Sequence, residues 1–152
     1  MKSRAWLLDF GKGLQAAVGL HEIFQVLLSA ELFQIPCTPV YCSEVLITRK
    51  RILPVLDISS LLEGKQFLSI QNEIIGIATY QDDLKHTISY AGLRLATLPV
   101  SIFVDDDQAC ELPREQEVWQ PFSYSCFYHE GQAIPVLNLR TLFSQNLQSS
   151  LT

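Results

Sequence analysis

The chain has 152 residues, 48% of them hydrophobic, and a formal net charge of −5. That length can bury one compact core without disulfides or metal. The acidic balance excludes nucleic-acid binding, because the 11 lysines and arginines are scattered apart from Arg49-Lys50-Arg51 and form no stripe that could neutralise phosphates. A membrane-spanning helix is excluded too, since no run of about 20 apolar residues is free of charge.

In chain order, Trp6, Leu7, Leu8 and Phe10 predict a first strand. Gly11-Lys12-Gly13 predicts a turn and Leu14–Val18 a returning strand. Residues 19–27 continue extended or as a short helical turn. Ile35-Pro36-Cys37-Thr38-Pro39 is a rigid loop, because each proline fixes its own backbone and restricts the residue before it. Val45-Leu46-Ile47 and Ile52–Ile58 flank a polar tip, Thr48-Arg49-Lys50-Arg51, which reads as a hairpin with a basic turn. In the second half, Ile74–Tyr80, Thr87–Tyr90 and Ser101–Val104 are strand candidates. Gln81-Asp82-Asp83 and Asp105-Asp106-Asp107 are turns between them. Leu112-Pro113 echoes Ile35-Pro36. Phe122–Tyr128 and Ala133–Leu139 form a last hairpin around His129-Glu130-Gly131-Gln132. Many short strands with little helical periodicity predict an all-β protein of the small-barrel kind.

Two segments are near copies. Ile52-Leu53-Pro54-Val55-Leu56-Asp57-Ile58-Ser59-Ser60-Leu61-Leu62 returns as Ala133-Ile134-Pro135-Val136-Leu137-Asn138-Leu139-Arg140-Thr141-Leu142-Phe143. Each reads as a buried strand handing over to a short helix. Pro54 and Pro135 cannot donate to a sheet ladder, so each is expected at a sheet edge or a bulge. Asp57 and Asn138 are N-cap residues, and Gly64 is a stop for the first helix. The second helix can run past Leu147. The repeat predicts two related lobes with a surface shared between them.

Catalytic and metal-binding patterns are weak. Cys37, Cys42, Cys110 and Cys126 permit two disulfides, but Lys2, Arg4, Asp9 and Lys12 leave no signal-peptide core, so a cytoplasmic chain with reduced, mostly buried cysteines is expected. The pairs Cys37/Cys42 and Cys126/His129 fall short of the four convergent ligands of a zinc site. Three consecutive aspartates, Asp105 to Asp107, point in alternating directions on an extended chain and read as a solvated loop. Cys126, His129 and Glu130 could be a thiol, a base and its orienting group, yet a strand sets residues 126 and 129 on opposite faces. A small Cys/His or zinc-dependent enzyme is therefore the rival reading, with no enzyme activity, no cofactor and no metal expected.

From Val18 to Leu62 the chain resembles the CheW-type adaptors of bacterial chemosensory arrays. The residues that carry the resemblance are Leu20-His21-Glu22-Ile23, Ile35-Pro36, and Glu44–Ile58 with its Arg49 and Pro54-Val55-Leu56-Asp57-Ile58. Ile134-Pro135-Val136-Leu137-Asn138-Leu139 resembles the family again. The resemblance covers residues 5–145 as a single domain, with 146–152 as a C-terminal tail. It implies two intertwined five-stranded SH3-like barrels and a non-catalytic scaffold that couples chemoreceptor tips to the regulatory domain of a CheA-type histidine kinase. It implies a receptor groove between the lobes, with Leu20, Glu22 and Arg49 as partner-binding residues, and kinase contacts at the barrel ends. It implies a cytoplasmic protein with no nucleic-acid partner and no membrane insertion. The chain departs from the family pattern at Glu44, where a glycine stands, at the Ile47-Thr48-Arg49-Lys50 turn, which keeps the arginine alone, and at Tyr90, where an acidic residue is common. These departures fit an adaptor of a specialised array, such as one controlling type IV pilus motility, or one that binds kinase but not standard receptors.

Overall fold

The computed structural model describes residues 2–48, 51–64, 74–81 and 87–147. Among the described residues, twelve strands run in the order β1 (Lys2–Asp9), β2 (Gln15–Gly19), β3 (Ile23–Leu27), β4 (Leu32–Gln34), β5 (Glu44–Thr48), β6 (Arg51–Leu56), β7 (Ile74–Gln81), β8 (Ile88–Leu95), β9 (Val100–Asp105), β10 (Ala109–Cys110), β11 (Ser123–His129) and β12 (Gln132–Leu137). Helix α1 (Ile58–Glu63) follows β6, and α2 (Leu139–Leu147) follows β12. The all-β expectation is met. Strand β1 begins at Lys2, and α2 reaches Leu147 with Asn146 and Leu147 buried, so regular structure extends beyond residues 5 and 145. Asp82 and Asp83 of the expected turn lie outside the described residues.

The strands form two six-stranded sheets, one ordered β10-β11-β12-β2-β1-β9 and the other β3-β7-β8-β6-β5-β4. Replacing each strand of the first sheet by the one six places away in the chain generates the second sheet in reverse order. The chain is therefore two copies of a six-stranded unit, each of which lends its first hairpin to the other. Strands β1 and β2 pair inside the sheet of the second copy, and β7 and β8 inside the sheet of the first. Edge strands β4 and β10 are only three and two residues long.

The repeated segment sits in equivalent places. Both β6 and β12 pair antiparallel to the preceding strand and parallel to a borrowed one, at Val55↔Gly92 and Val136↔Ala17. Asp57 accepts from Ser60 N at 3.4 Å and Asn138 from Thr141 N at 3.1 Å, so each caps its helix. Their own N–H groups donate to Tyr41 O and Phe122 O, both at 2.8 Å. Gly64 ends α1 in the left-handed conformation, φ 69°, as its type predicts. The prolines correct the sequence reading. Pro54 and Pro135 lie in interior strands, each one residue before the parallel ladder begins. The missing N–H thus falls where no second ladder needs it, and neither an edge nor a bulge at the proline is required. Gly92 faces Val55 closely: a Cβ there would lie 2.8 Å from Ile75 Cγ2 and 3.1 Å from Val55 Cγ2.

Alternate residues of the central strands feed different cores. Leu46, Leu53, Val55, Ile75 and Ile77 fill the interior of one lobe, and Ala17, Ile102, Phe127 and Ile134 that of the other. Opposite faces of the same strands supply Leu8, Val18, Leu56, Leu93 and Leu137 to a central core with Trp119, Leu142 and Phe143, which joins the two lobes. Strands buried on both faces read as continuous apolar runs, which is why the repeat is so hydrophobic.

One polar cluster differs between the copies. The Arg94 guanidinium in β8 donates to the Glu44 carboxylate, and its Nε stands 3.6 Å from Asp57 Oδ2. By register, the equivalent positions in the other lobe are Gly19, Ser125 and Asn138. Three charges in one lobe are matched by three neutral residues in the other, so the Glu44 carboxylate comes with its own counter-ion. All three side chains are 15–25% exposed. Arg94→Met should therefore strand two half-buried carboxylates and lower unfolding free energy by about 2–3 kcal/mol, less than a fully buried pair because solvent reaches the site. Denaturant unfolding of Arg94→Met, and of Arg94→Met combined with Glu44→Gln and Asp57→Asn, checks this: the triple variant should recover part of the loss.

Candidate docking surfaces

The chain crosses between the sheets at two points, after β2 and after β8. The first crossing is a 3-10 turn, Leu20–Glu22. It is fastened from both lobes: Trp6 Nε1 of β1 donates to Leu20 O at 3.1 Å, and Thr79 Oγ1 of β7 to His21 O at 3.4 Å. Glu22 turns back on the crossing, where its Oε1 accepts from Gly19 N at 2.7 Å. The turn leaves no room beside Gly19, since a Cβ would lie 3.1 Å from that carboxylate oxygen. Leu20 and Glu22, two residues expected to bind partners, thus stand together at the junction of the lobes, both half-buried. Arg49, the third, lies outside the described residues.

Beside the crossing, one lobe opens into a cleft of about 310 Å³ lined by Phe24, Gln25, Thr48, Arg51, Leu53, Ile77 and Tyr90. Leu53 and Ile77 belong to that lobe's interior, so the cleft is its open end. Phe24, 60% exposed on β3, meets the Tyr90 ring edge-on at 5.5 Å between centroids. The Arg51 guanidinium lies 5.3 Å from the same Tyr90 ring, a cation–π contact. Tyr90 thus meets both an aromatic ring and a cation at the cleft. Ile52 on β6 and Ile88 on β8 are also largely exposed.

The other lobe carries exposed aromatics on β9, one edge of its sheet, and on β11, the strand next to the opposite edge. Phe103 on β9 is 62% exposed, with Arg4 5.4 Å above its ring, and Tyr124 on β11 is 68% exposed. Arg4 is held there by a 2.9 Å bond from its guanidinium to Ser101 Oγ. Large exposed apolar groups on both lobes are the chemistry of protein contact surfaces. The sequence signal was present in Phe24 and Phe103, apolar residues on the outward phase of their strands, but alternation alone could not separate that phase from the inward one.

The structure does not bring Cys126, His129 and Glu130 together as a thiol, a base and its orienting group. Cys126 is buried in β11 beside Cys110, not His129, and His129 Nε2 is 3.9 Å from Glu130 Oε1. Burial, then the hydrogen bond and charge of Cys110, pushes the Cys126 thiol up to about 12, which keeps it protonated and a poor nucleophile at neutral pH. Asp106–Gln108 form a 3-10 turn closed by Gln108 Oε1, which accepts from Asp105 N at 2.6 Å. Among the described residues, no three His, Cys, Asp or Glu side chains converge as metal ligands. Among them, too, no helix is long and apolar enough to cross a membrane.

The Glu22 cap separates a structural role from a recognition role. Glu22→Ala should cost about 1 kcal/mol through the lost acceptor. Glu22→Gln keeps an acceptor oxygen and should stay within about 0.5 kcal/mol of the parent. Thermal melts of both variants check this.

Residues 9–147 match the family model described as the CheW-like domain. The chain is similar in fold to the scaffolding protein TtCheW from Thermoanaerobacter tengcongensis, with a TM-score of 0.76 at 18% identity, over 97% of this chain and 99% of that one. The two-lobed, SH3-like arrangement is common to both. No curated protein matches the chain by sequence.

Proposed function

Since the chain belongs to the CheW-like domain family, we propose that it is a non-catalytic adaptor of a cytoplasmic chemosensory array, joining a CheA-type histidine kinase to chemoreceptor tips. The observation that carries this reading is the pairing of two separate apolar surfaces with one shared core. Phe24, Tyr90 and Arg51 form one surface at the open end of the first lobe, and Phe103 and Tyr124 lie on the second. A scaffold needs at least two faces held at a fixed spacing, and a core common to both lobes supplies that rigidity.

The receptor tip docks at the lobe junction, where Leu20 forms a wall beside the Glu22-capped turn; Arg49, which follows β5 in the sequence, is expected to offer the same partner a fork donor for a carboxylate or carbonyl. The kinase regulatory domain docks on the lobe ends. Arg51 beside Tyr90 favours a partner that brings an acidic or carbonyl group next to an apolar anchor. The match of Arg49 to the family's turn arginine supports a recognition role. The changed turn around it and Tyr90 support an array with its own receptor, such as one that governs type IV pilus motility.

Reconstitution with the purified kinase regulatory domain and a receptor tip tests the proposal, the expected product being a ternary complex. Phe24→Ser should weaken one partner by about 1–3 kcal/mol, roughly 5- to 150-fold, and leave the other unchanged. Arg49→Glu should weaken the receptor tip by about 2–5 kcal/mol while moving unfolding free energy by no more than about 0.5 kcal/mol. Kinase binding without any receptor binding would mark a kinase-only adaptor. Binding of neither partner would overturn the proposal.

A further inference from the structure

Two thiols at the edge of one sheet stand in a relation that docking does not use. Cys110 lies in the two-residue edge strand β10, Cys126 lies in β11, and the register sets them directly opposite each other. Their Sγ atoms are 3.2 Å apart, within reach of an S–H···S hydrogen bond. Residues opposed in an antiparallel pair have Cα atoms about 4.5–5.5 Å apart, inside the range of about 4.4–6.8 Å that a disulfide spans. Both cysteines line a cleft of about 420 Å³ with Leu112, Glu117, Gln120 and Tyr124, and Cys110 is the half-buried one that a small reagent can reach from solvent. The remaining cysteines are elsewhere: Cys37 is exposed in the loop before β5, and Cys42 is buried in the central core.

We propose that Cys110 and Cys126 are a reversible thiol-oxidation site, closing to an intrachain disulfide when a small oxidant of the peroxide class enters the cleft. Cys110, half-buried, is the sulfur that is oxidised first, because the Cys126 proton is held by burial and by its neighbour. The Cys110 thiolate attacks one peroxide oxygen. The O–O bond breaks, and Cys110 becomes a sulfenic acid as the other oxygen leaves and is protonated to water. With the Cys110 thiolate gone, the repulsion that opposes ionisation of Cys126 is removed. The Cys126 sulfur then attacks the Cys110 sulfur, the S–S bond forms, the S–O bond breaks, and the hydroxyl leaves as water with the Cys126 proton. Two thiols lose two electrons and two protons, and one peroxide becomes two waters. A dithiol reductant restores the pair by exchange. The bond ties the shortest edge strand to its neighbour and closes the loop that carries the Arg114–Phe122 turns and buried Trp119, so the oxidised chain melts at a higher temperature.

The test treats the reduced full chain with an equivalent of hydrogen peroxide and reads intact mass, free thiols and non-reducing peptide maps. The expected result is a loss of about 2 Da, a fall from four free thiols to half that number, and a linked peptide joining residues 110 and 126, all reversed by dithiothreitol. Cys37→Ser should behave as the parent. Cys110→Ser should lose the mass change while keeping the melting temperature of the reduced parent. Cys126→Ser should leave a sulfenic acid on Cys110 that dimedone traps. Four thiols persisting, linkage between chains through Cys37, or direct conversion of Cys110 to a sulfinic acid in the parent would overturn the proposal.

Discussion

The central core is the constraint on which the rest of the structure depends. Leu8 and Val18 reach it from one sheet, Leu56 and Leu93 from the other, and Leu142 and Phe143 from α2. Tyr80 of β7 packs its ring 4.7 Å from that of Phe143, so the C-terminal helix is clamped against the opposite sheet. Each of these side chains contributes about 1.5–3 kcal/mol when fully buried. A lobe taken alone would expose that whole face, and it would also lose the hairpin borrowed from the other copy. The lobes are thus not two domains joined by a linker but one cooperative body with two outer surfaces.

The exchange of hairpins explains how the copies could drift apart without losing the fold. What stays common is backbone: the parallel pairing beside each proline strand, the side-chain cap at Asp57 or Asn138, and the bond from that residue's N–H to the preceding turn. What differs is charge. Arg94, Glu44 and Asp57 form a set, and a carboxylate at Asp57 without Arg94 would be a half-buried anion with no cation beside it. Asn138 makes the same cap while neutral, so the other lobe tolerates Gly19 where Arg94 would stand. A neutral cap and a charged cap are equivalent for the helix but not for the surroundings, and each lobe has resolved the difference locally.

Much of the local structure was legible because it rests on short-range chemistry. The strand-to-helix repeat, both caps and the Gly64 stop follow from residue types within a few positions of one another. The first hairpin and the last were marked by Gly11-Lys12-Gly13 and by Gly131. The assignment of strands to sheets was not legible, because period-two alternation says that a strand has two faces, not which partner covers each. Pro54 and Pro135 were expected at an edge or a bulge for the same reason: a proline is compatible with an interior strand when the second ladder starts one residue later, and that is a fact of register. The turns over Arg114–Phe122 escaped notice since Val118, Trp119 and Phe122, although at helical spacing, span barely more than one turn and have Pro121 among them. Leu20 and Glu22 were found by resemblance. Phe24 and Arg51, which sit beside Tyr90, were not, since their meeting is made by three different strands.

Rigidity bears directly on how such a body can act. Each apolar surface is modest in size, and a single cleft of about 310 Å³ cannot hold a large partner tightly by burial alone. Two such surfaces on one inflexible frame behave differently. Once a partner seats on one lobe, the second surface is presented at a fixed distance and angle, and the next contact is made without ordering any linker. Assembly then depends on simultaneous engagement rather than on strength at either face. Catalysis would demand the opposite arrangement, with titratable groups converging in one sheltered pocket. Here the strongly shifted thiol, Cys126, is held protonated at a sheet edge, and the exposed aromatics are spread over two lobes. Among the described residues, convergence is found in the apolar core and dispersion at the surface, the distribution that the proposed adaptor role asks for.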